Sequence, residues 1–264
     1  PETFRLRRLE TRRLRDDVLL QSLDYTYDPI GNLTSIADTA QQTVFFSNSE
    51  VNPEMDYIYD ALYRLRRASG REHASQNMHQ RDHDDLAPVI GTPFPNSPEA
   101  MQRYVEEYDY DAVGNLLSLR HRGGGVDRWT RRYLYAQTSN RLDATSLQGD
   151  ADGTHSAVYG HDENGNMVVM PHLDVMTINA MDGLQSTARQ SVAAGRPETT
   201  YYAYNAEGER LRKVTDAAAD DGENPVRRHE RFYFGAFELY REFGPDGTTV
   251  TLERETLHVL DGAK

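Results

Sequence analysis

Tyr108-Asp109-Tyr110-Asp111-Ala112-Val113-Gly114-Asn115-Leu116-Leu117 reads as a strand, a tight turn and the start of a returning strand. Tyr108 and Tyr110 share one face at period two, as a half-buried strand requires. Asp111 opens the turn with a carboxylate that can accept hydrogen bonds from backbone N–H groups two or three residues on, and Gly114 reaches positive φ without a Cβ clash. The pattern recurs as Tyr27-Asp28-Pro29-Ile30-Gly31-Asn32-Leu33, His161-Asp162-Glu163-Asn164-Gly165-Asn166-Met167 and Tyr204-Asn205-Ala206-Glu207-Gly208-Glu209-Arg210. A degenerate copy, Tyr59-Asp60-Ala61-Leu62-Tyr63-Arg64-Leu65, carries Tyr63 in the glycine position. An internal repeat of this kind decides the class: the chain is expected to be all-β, built of antiparallel hairpins.

Working outward, the strands before the turns repeat the aromatic pairing at Tyr25 and Tyr27, Tyr57 and Tyr59, and Tyr202 and Tyr204. Tyrosines at matching positions of neighbouring strands are expected to stack as cross-strand pairs, each contributing about 0.2–1 kcal/mol. The turn glycines are unevenly spaced, which argues against a solenoid of equal rungs and for a meandering antiparallel sheet with further strands near residues 128–135 and 230–234. Residues 2–20 read as a strand. Residues 72–100 read as an irregular insertion carrying Pro88, Pro93, Pro95 and Pro98, with a helical turn possible at Ser97–Ala100. The Asp/Gly-rich stretches 148–154 and 216–224 read as loops. Where the pattern departs from itself, at Tyr63, His161, and Asn205 with Glu209, the turns are expected to be looser in register.

Composition narrows the function. The 264 residues carry 42 acidic against 29 basic side chains, a formal net charge of −13, which repels phosphate backbones and disfavours nucleic acid as a partner. The absence of cysteine excludes disulfides, thiolate nucleophiles and cysteine-zinc sites. No apolar run approaches the ~18–20 residues that span a bilayer, so membrane insertion by this segment is not expected, and the first twenty residues lack a signal-peptide core. Pro1 and the tail Leu257–Lys264 point to a segment of a longer chain.

Several short matches in order carry a family resemblance. The Tyr-Asp-x-x-Gly-Asn turns, the run Asp56-Tyr57-Ile58-Tyr59-Asp60-Ala61-Leu62-Tyr63-Arg64-Leu65 followed by Ala68–His73, and the tail Leu252–Val259 resemble YD-repeat (RHS) proteins. The resemblance is in particular to the B and C components of insecticidal Tc toxin complexes and to SpvB-like RHS toxins. It implies that residues 1–264 are one repeat segment of a hollow β-shell that encloses and helps deliver a C-terminal cytotoxic peptide, exported as part of a larger toxin. The partners implied are the remaining shell segments and the enclosed peptide, with self-association through unpaired edge strands. The tetrad Asp28-Pro29-Ile30-Gly31 looks like the Asp-Pro-x-Gly element of the family's autoproteolytic core, but it lies inside a repeat turn and reads as that turn. YD repeats also occur in cell-surface proteins such as teneurins, which keeps a glycan- or protein-binding module as the alternative.

No catalytic residues and no cofactor are expected. There is no Gly-x-Ser-x-Gly, and Gly123-Gly124-Gly125 lacks the Lys-Ser/Thr of a phosphate cradle and reads as a hairpin tip. His79 and His83 have the spacing of one helix face, a weak metal signal that lacks the neighbouring Glu of a zinc protease and reads as a solvated insertion. The acidic loops lack the alternating ligands of an EF-hand. The site residues are therefore the turn set: Tyr27, Asp28, Gly31, Asn32, Tyr59, Asp60, Tyr110, Asp111, Gly114, Asn115, Asp162, Gly165, Asn166, Tyr204, Asn205 and Gly208. The arginines at 5, 7, 8, 12, 13 and 15 are expected to pair with acidic residues of the sheet. Trp129 reads as a packed strand residue.

Overall fold

The computed structural model describes residues 4–75, 94, 96–173, 175–189 and 192–259, and every described element is a strand, a turn or irregular. The chain divides into two compact units, Pro1–Ser156 and Ala157–Lys264. Both are antiparallel β.

The first unit contains β1 (Arg8–Arg13), β2 (Val18–Tyr27), β3 (Leu33–Asp38), β4 (Val44–Phe46), β5 (Ser49–Val51), β6 (Glu54–Tyr59), β7 (Leu65–His73), β8 (Met101–Tyr110), β9 (Leu116–Gly123), β10 (Val126–Tyr135) and β11 (Leu142–Thr145). One sheet takes them in the order β1-β2-β3-β6-β7-β8-β9-β10-β11, and β4 and β5 form a separate hairpin. The order is nearly the sequence order because each turn is tight enough to return the chain beside itself. Residues 2–20, expected as one strand, instead hold the whole of β1, a turn and the start of β2. Asp17 takes a φ of +54° there, and Arg13 holds Asp16 at 2.7 Å. The expected insertion at 72–100 begins later and ends at a strand: β7 runs through His73, a turn covers Pro98 and Glu99, and β8 starts at Met101. Residues 76–93, which include His79 and His83, lie outside the described residues.

The second unit contains β12 (Ala157–Val158), β13 (Gly160–His161), β14 (Met167–Val169), β15 (Val175–Ile178), β16 (Leu184–Ala188), β17 (Thr199–Tyr204), β18 (Arg210–Asp216), β19 (Arg227–Phe234), β20 (Phe237–Phe243) and β21 (Val250–Leu257). Strands β15 to β21 form a seven-stranded sheet in sequence order, and β13 pairs with β14. No helix among the described residues is long and apolar enough to cross a membrane.

The core is thin. Among the described residues the buried apolar side chains are only Ala and Val, such as Val51, Ala100, Ala144 and Val214, and the buried polar set includes Ser22, His121, Thr145, Ser146 and Glu230. Large apolar residues such as Ile58, Leu134, Leu211 and Leu252 remain exposed. With so little apolar burial, ladder hydrogen bonds, turn caps and a few polar clusters carry more of the specificity than in a two-layer domain.

Candidate functional site: a ladder of capped turns

Each repeat turn is closed twice. The backbone N–H of the first residue donates to the carbonyl four residues on, at 2.9 Å for Asp28–Asn32, Asp60–Arg64, Asp111–Asn115, Asp162–Asn166 and Asn205–Glu209. The side chain then closes it again. Oδ1 of Asp111 accepts the N–H groups of Val113 (3.0 Å), Gly114 (2.8 Å) and Asn115 (2.8 Å), and Oδ2 accepts the Asn115 side-chain amide (2.8 Å). Asp28 accepts from the Gly31 and Asn32 N–H groups at 2.7 and 2.8 Å and from the Asn32 amide at 2.8 Å. Asp162 does the same with Asn166 at 2.8 and 3.0 Å. The bonds reach four residues on, one further than the sequence pattern predicts, because the turn ends in a bulge: pairing slips by one residue at Tyr27, Tyr59, Tyr110, His161 and Tyr204.

These bonds hold the aspartates charged. Burial pushes the Asp28 and Asp111 carboxyls up, but the Asn32 and Asn115 donors with the turn N–H groups outweigh it, and both lie below the usual carboxylate range. Asp60 is lowered first by the Arg64 N–H, and Asp162 by the Asn166 side chain. A carboxylate depressed in this way stabilises the fold above its ordinary pKa and loses that contribution as pH falls through the folded value.

The degenerate turns keep the register that the sequence pattern suggested they would loosen. Tyr63 takes the left-handed φ of +62° itself, and Arg64 stands in for Asn. Its N–H and Nε donate to Asp60 at 2.9 and 2.7 Å. At the fifth turn the chemistry is exchanged. Asn205 Nδ2 donates to Glu209 Oε2 at 3.0 Å while Asn205 Oδ1 accepts the Glu209 N–H at 2.8 Å, so the amide and the carboxylate have swapped ends. A sixth turn escaped the pattern. In Asn179-Ala180-Met181-Asp182-Gly183, Asn179 N–H donates to the Gly183 carbonyl at 2.8 Å, Asn179 Oδ1 accepts the Gly183 N–H at 3.0 Å, and Asp182 takes a φ of +57°. The readable signal was an Asn three residues before Asp-Gly, displaced by one from the glycine position of the other copies.

Two predictions follow from this exchange. Tyr63→Gly is expected to stabilise the first unit by about 1 kcal/mol, since a left-handed non-glycine residue is strained and the Tyr63 ring is largely exposed; a higher urea midpoint with an unchanged slope checks it. Asp111→Asn should lower the urea midpoint by removing the acceptor for the Asn115 amide, and adding Asn115→Glu should restore it by recreating the Asn205–Glu209 pairing. A double variant no better than the single one would show that the two turn chemistries are not equivalent.

The turns are also stitched to their neighbours. The Tyr27 hydroxyl donates to the Leu6 carbonyl (3.0 Å), Tyr59 to Leu33 (2.8 Å) and Tyr110 to Leu65 (2.9 Å). Arg5 Nη1 donates to the Asp28 carbonyl and Arg64 Nη1 to the Asp111 carbonyl, each at 2.9 Å, while their guanidinium groups lie 5.7 and 4.9 Å from the Tyr27 and Tyr110 ring centres. Asn115 donates to Asn140, and Asn164 and Asn166 both donate to Asp182. Tyr27, Tyr59 and Tyr110 do not form the expected stacks on one another. In register, Tyr27, Tyr59 and Tyr110 face Leu33, Leu65 and Leu116 of the returning strand, so successive repeat tyrosines stand two strands, about 10 Å, apart. Their free edge goes to arginine and to backbone carbonyls instead.

Three further arginines of the amino-terminal stretch find local acids: Arg8 holds Asp24 with two bonds of 2.9 Å, Arg12 lies 3.7 Å from Asp17, and Arg15 lies 3.6 Å from Asp16. The Gly123–Gly125 stretch is a hairpin tip, with Gly124 and Gly125 at φ of +60° and +79°. Asp150 caps Leu147 and Ser156, and no group of three or more His, Asp or Glu suited to a metal occurs among the described residues.

One cluster had no sequence signal. His121 on β9, 5% exposed, has Nε2 3.1 Å from Glu72 on β7 and Nδ1 3.3 Å from Glu106 on β8. Its ring lies flat against Trp129 of β10, with centroids 4.9 Å apart, and beyond it Tyr104 at 5.8 Å. Burial pulls its pKa down, but Glu106 and Glu72 outweigh that and raise it to about 9. Tyr108 donates to Glu106 at 2.6 Å, and burial with that bond pushes its hydroxyl far up. The four strands are thereby joined by side chains as well as by their ladders.

Sequence and structure comparisons converge on one group. YenC1, a toxin subunit of Yersinia entomophaga, is 29% identical over 242 residues, 90% of this chain. The chain resembles Tc toxin subunits. YenC2 of the same organism is 37% identical over 151 residues, 55% of this chain. The crystal structure of TcdB2-TccC3 matches over 97% of this chain with a TM-score of 0.71 and 29% identity, and a Photorhabdus luminescens Tc holotoxin pore matches over 97% with 0.71 and 28%. The chain spans 24% of YenC1, 15% of YenC2 and 12% of the TcdB2-TccC3 chain. No protein-family model matches it. The expected all-β, antiparallel fold is thus shared with the Tc toxin structures, and the sequence resemblance to Tc components holds over most of the chain.

Proposed function

We propose that residues 1–264 are one repeat segment in the wall of a Tc-toxin-like shell, which encloses a C-terminal cytotoxic peptide, is exported with it and helps deliver it. The observation that carries this reading is the match over 97% of the chain to TcdB2-TccC3, a protein also solved without its hypervariable C-terminal region. The physical design supports it. A sheet whose buried apolar set, among the described residues, is limited to Ala and Val gains little from its own core and much from neighbours that cover its faces and edges. Edge strands β1 and β21 are almost wholly exposed, which suits them to pair with further shell segments or with a second copy. The site chemistry serves turn geometry, so the segment acts without turnover. The alternative, a glycan- or protein-binding module, is less well supported, because the hydroxyls of Tyr27, Tyr59 and Tyr110 are committed to backbone carbonyls.

The test is intact mass spectrometry and limited proteolysis of the native polypeptide that contains this sequence. A longer chain with a cleaved C-terminal peptide, retained and protease-resistant until the protein is denatured, is expected. A native protein with no retained peptide would overturn enclosure and favour the binding module.

A further inference from the structure

We propose that a cationic cleft on the second unit's seven-stranded sheet binds an acidic segment of a partner polypeptide. Register puts Tyr202, Lys213, Arg231, Tyr240 and Arg254 in one row across five strands. Two residues along the same face runs a second row, Thr200, Thr215, His229, Glu242 and Leu252. Between them lies a cleft of about 470 Å³ lined by Lys213, His229, Arg231, Tyr233, Tyr240 and Arg254, with Glu230 and Glu242 also in its wall.

Its charge runs against that of the molecule. The chain has a net charge of −13, yet this face presents Lys213, Arg231, Arg254 and, over the Tyr233 ring at 4.8 Å, Arg210. The carboxylates in reach are already engaged: Glu230 is held by Arg212 and, at 3.4 Å, by Arg227, Glu238 holds Arg231 at 2.7 Å, and Glu242 accepts the Tyr240 hydroxyl at 3.0 Å. Arg254 rests over the Tyr240 ring at 5.2 Å. Among the described residues, neither Arg254 nor Lys213 forms an ion pair.

The geometry selects the ligand. Lys213 and Arg231 sit on adjacent strands, roughly 5 Å apart, and Arg254 lies two strands beyond Arg231, roughly 10 Å away. That row is too long for one small anion and suits carboxylates carried along an extended peptide. The stacked His229 and Tyr240 rings, 6.1 Å between centroids, with Tyr233, give a floor for the methylene stems of glutamate, and the guanidinium fork meets a carboxylate with two donors.

A fluorescently labelled hexaglutamate peptide titrated against the whole chain tests this by anisotropy at low and physiological salt. Saturable binding is expected, weakening as salt screens the row. The Lys213→Gln/Arg254→Gln variant, which leaves the Arg231–Glu238 pair intact, should bind at least tenfold more weakly while keeping its thermal midpoint. If that midpoint falls, Arg254→Gln alone, on an exposed edge strand, is read instead and should weaken binding at least threefold. Absence of saturable binding, equal binding by the variant, equal binding of hexaserine, or binding only to phosphatidylserine vesicles would each overturn the proposal.

Discussion

His121→Ala is expected to destabilise the first unit by about 3 kcal/mol, because it strands two carboxylates around a buried position and removes the ring against which Trp129 packs. The effect has a pH signature. The folded pKa of His121 is raised to about 9 from an ordinary 6.5, so its contribution is fully present below about pH 6.5 and is lost as pH rises through 9. The other titratable groups around the ring are Glu72, Glu106 and Tyr104, with Tyr108 bonded to Glu106. Burial pushes Tyr104 up to about 12 and, with the Glu106 bond, Tyr108 further still, so both tyrosines stay neutral across this range. Thermal unfolding of the wild type from pH 6 to 9.5 should show a falling midpoint for the first unit, and His121→Gln should flatten that fall. Parallel curves for the two proteins would mean that the imidazole is neutral and only packs.

Glu230→Ala is expected to cost the second unit about 2–3 kcal/mol. Glu230 is 4% exposed and is held by Arg212, with Arg227 at 3.4 Å. Removing it leaves two half-buried guanidinium groups side by side, stacked over Phe232 and Phe243 with no shared counter-charge. Glu230→Gln keeps the shape and the acceptor and should cost clearly less. Chemical denaturation that resolves the two units should place the loss in the second alone; an equal loss for both substitutions would make the site a matter of packing rather than charge.

Much of this protein was legible in order. A turn whose first residue caps its own backbone is local chemistry, so Asp28, Asp111 and Asp162 announce themselves within five residues, and the strands on either side follow from period-two aromatics. The same locality explains why the degenerate copies were underrated. The pattern judged Tyr63 and Glu209 by residue type, whereas the turn asks only for positive φ at one position and a donor–acceptor pair across four residues, which Arg64 and the Asn205–Glu209 exchange supply. The Asn179 turn was missed for that reason as well.

What sequence by itself determined, then, was the class, the hairpin positions and the likeness to Tc toxin components, because repeated turns and alternation are short-range. Tertiary structure alone decided what meets across strands. Which tyrosines stack depends on the return strand standing between repeats. Glu72, Glu106, His121 and Trp129 come together from β7 to β10, and Lys213, Arg231 and Arg254 from β18 to β21, only once registers are set. Register is a sum of many weak long-range pairings with no local signature, so the charged clusters it creates could be found only in the folded sheet.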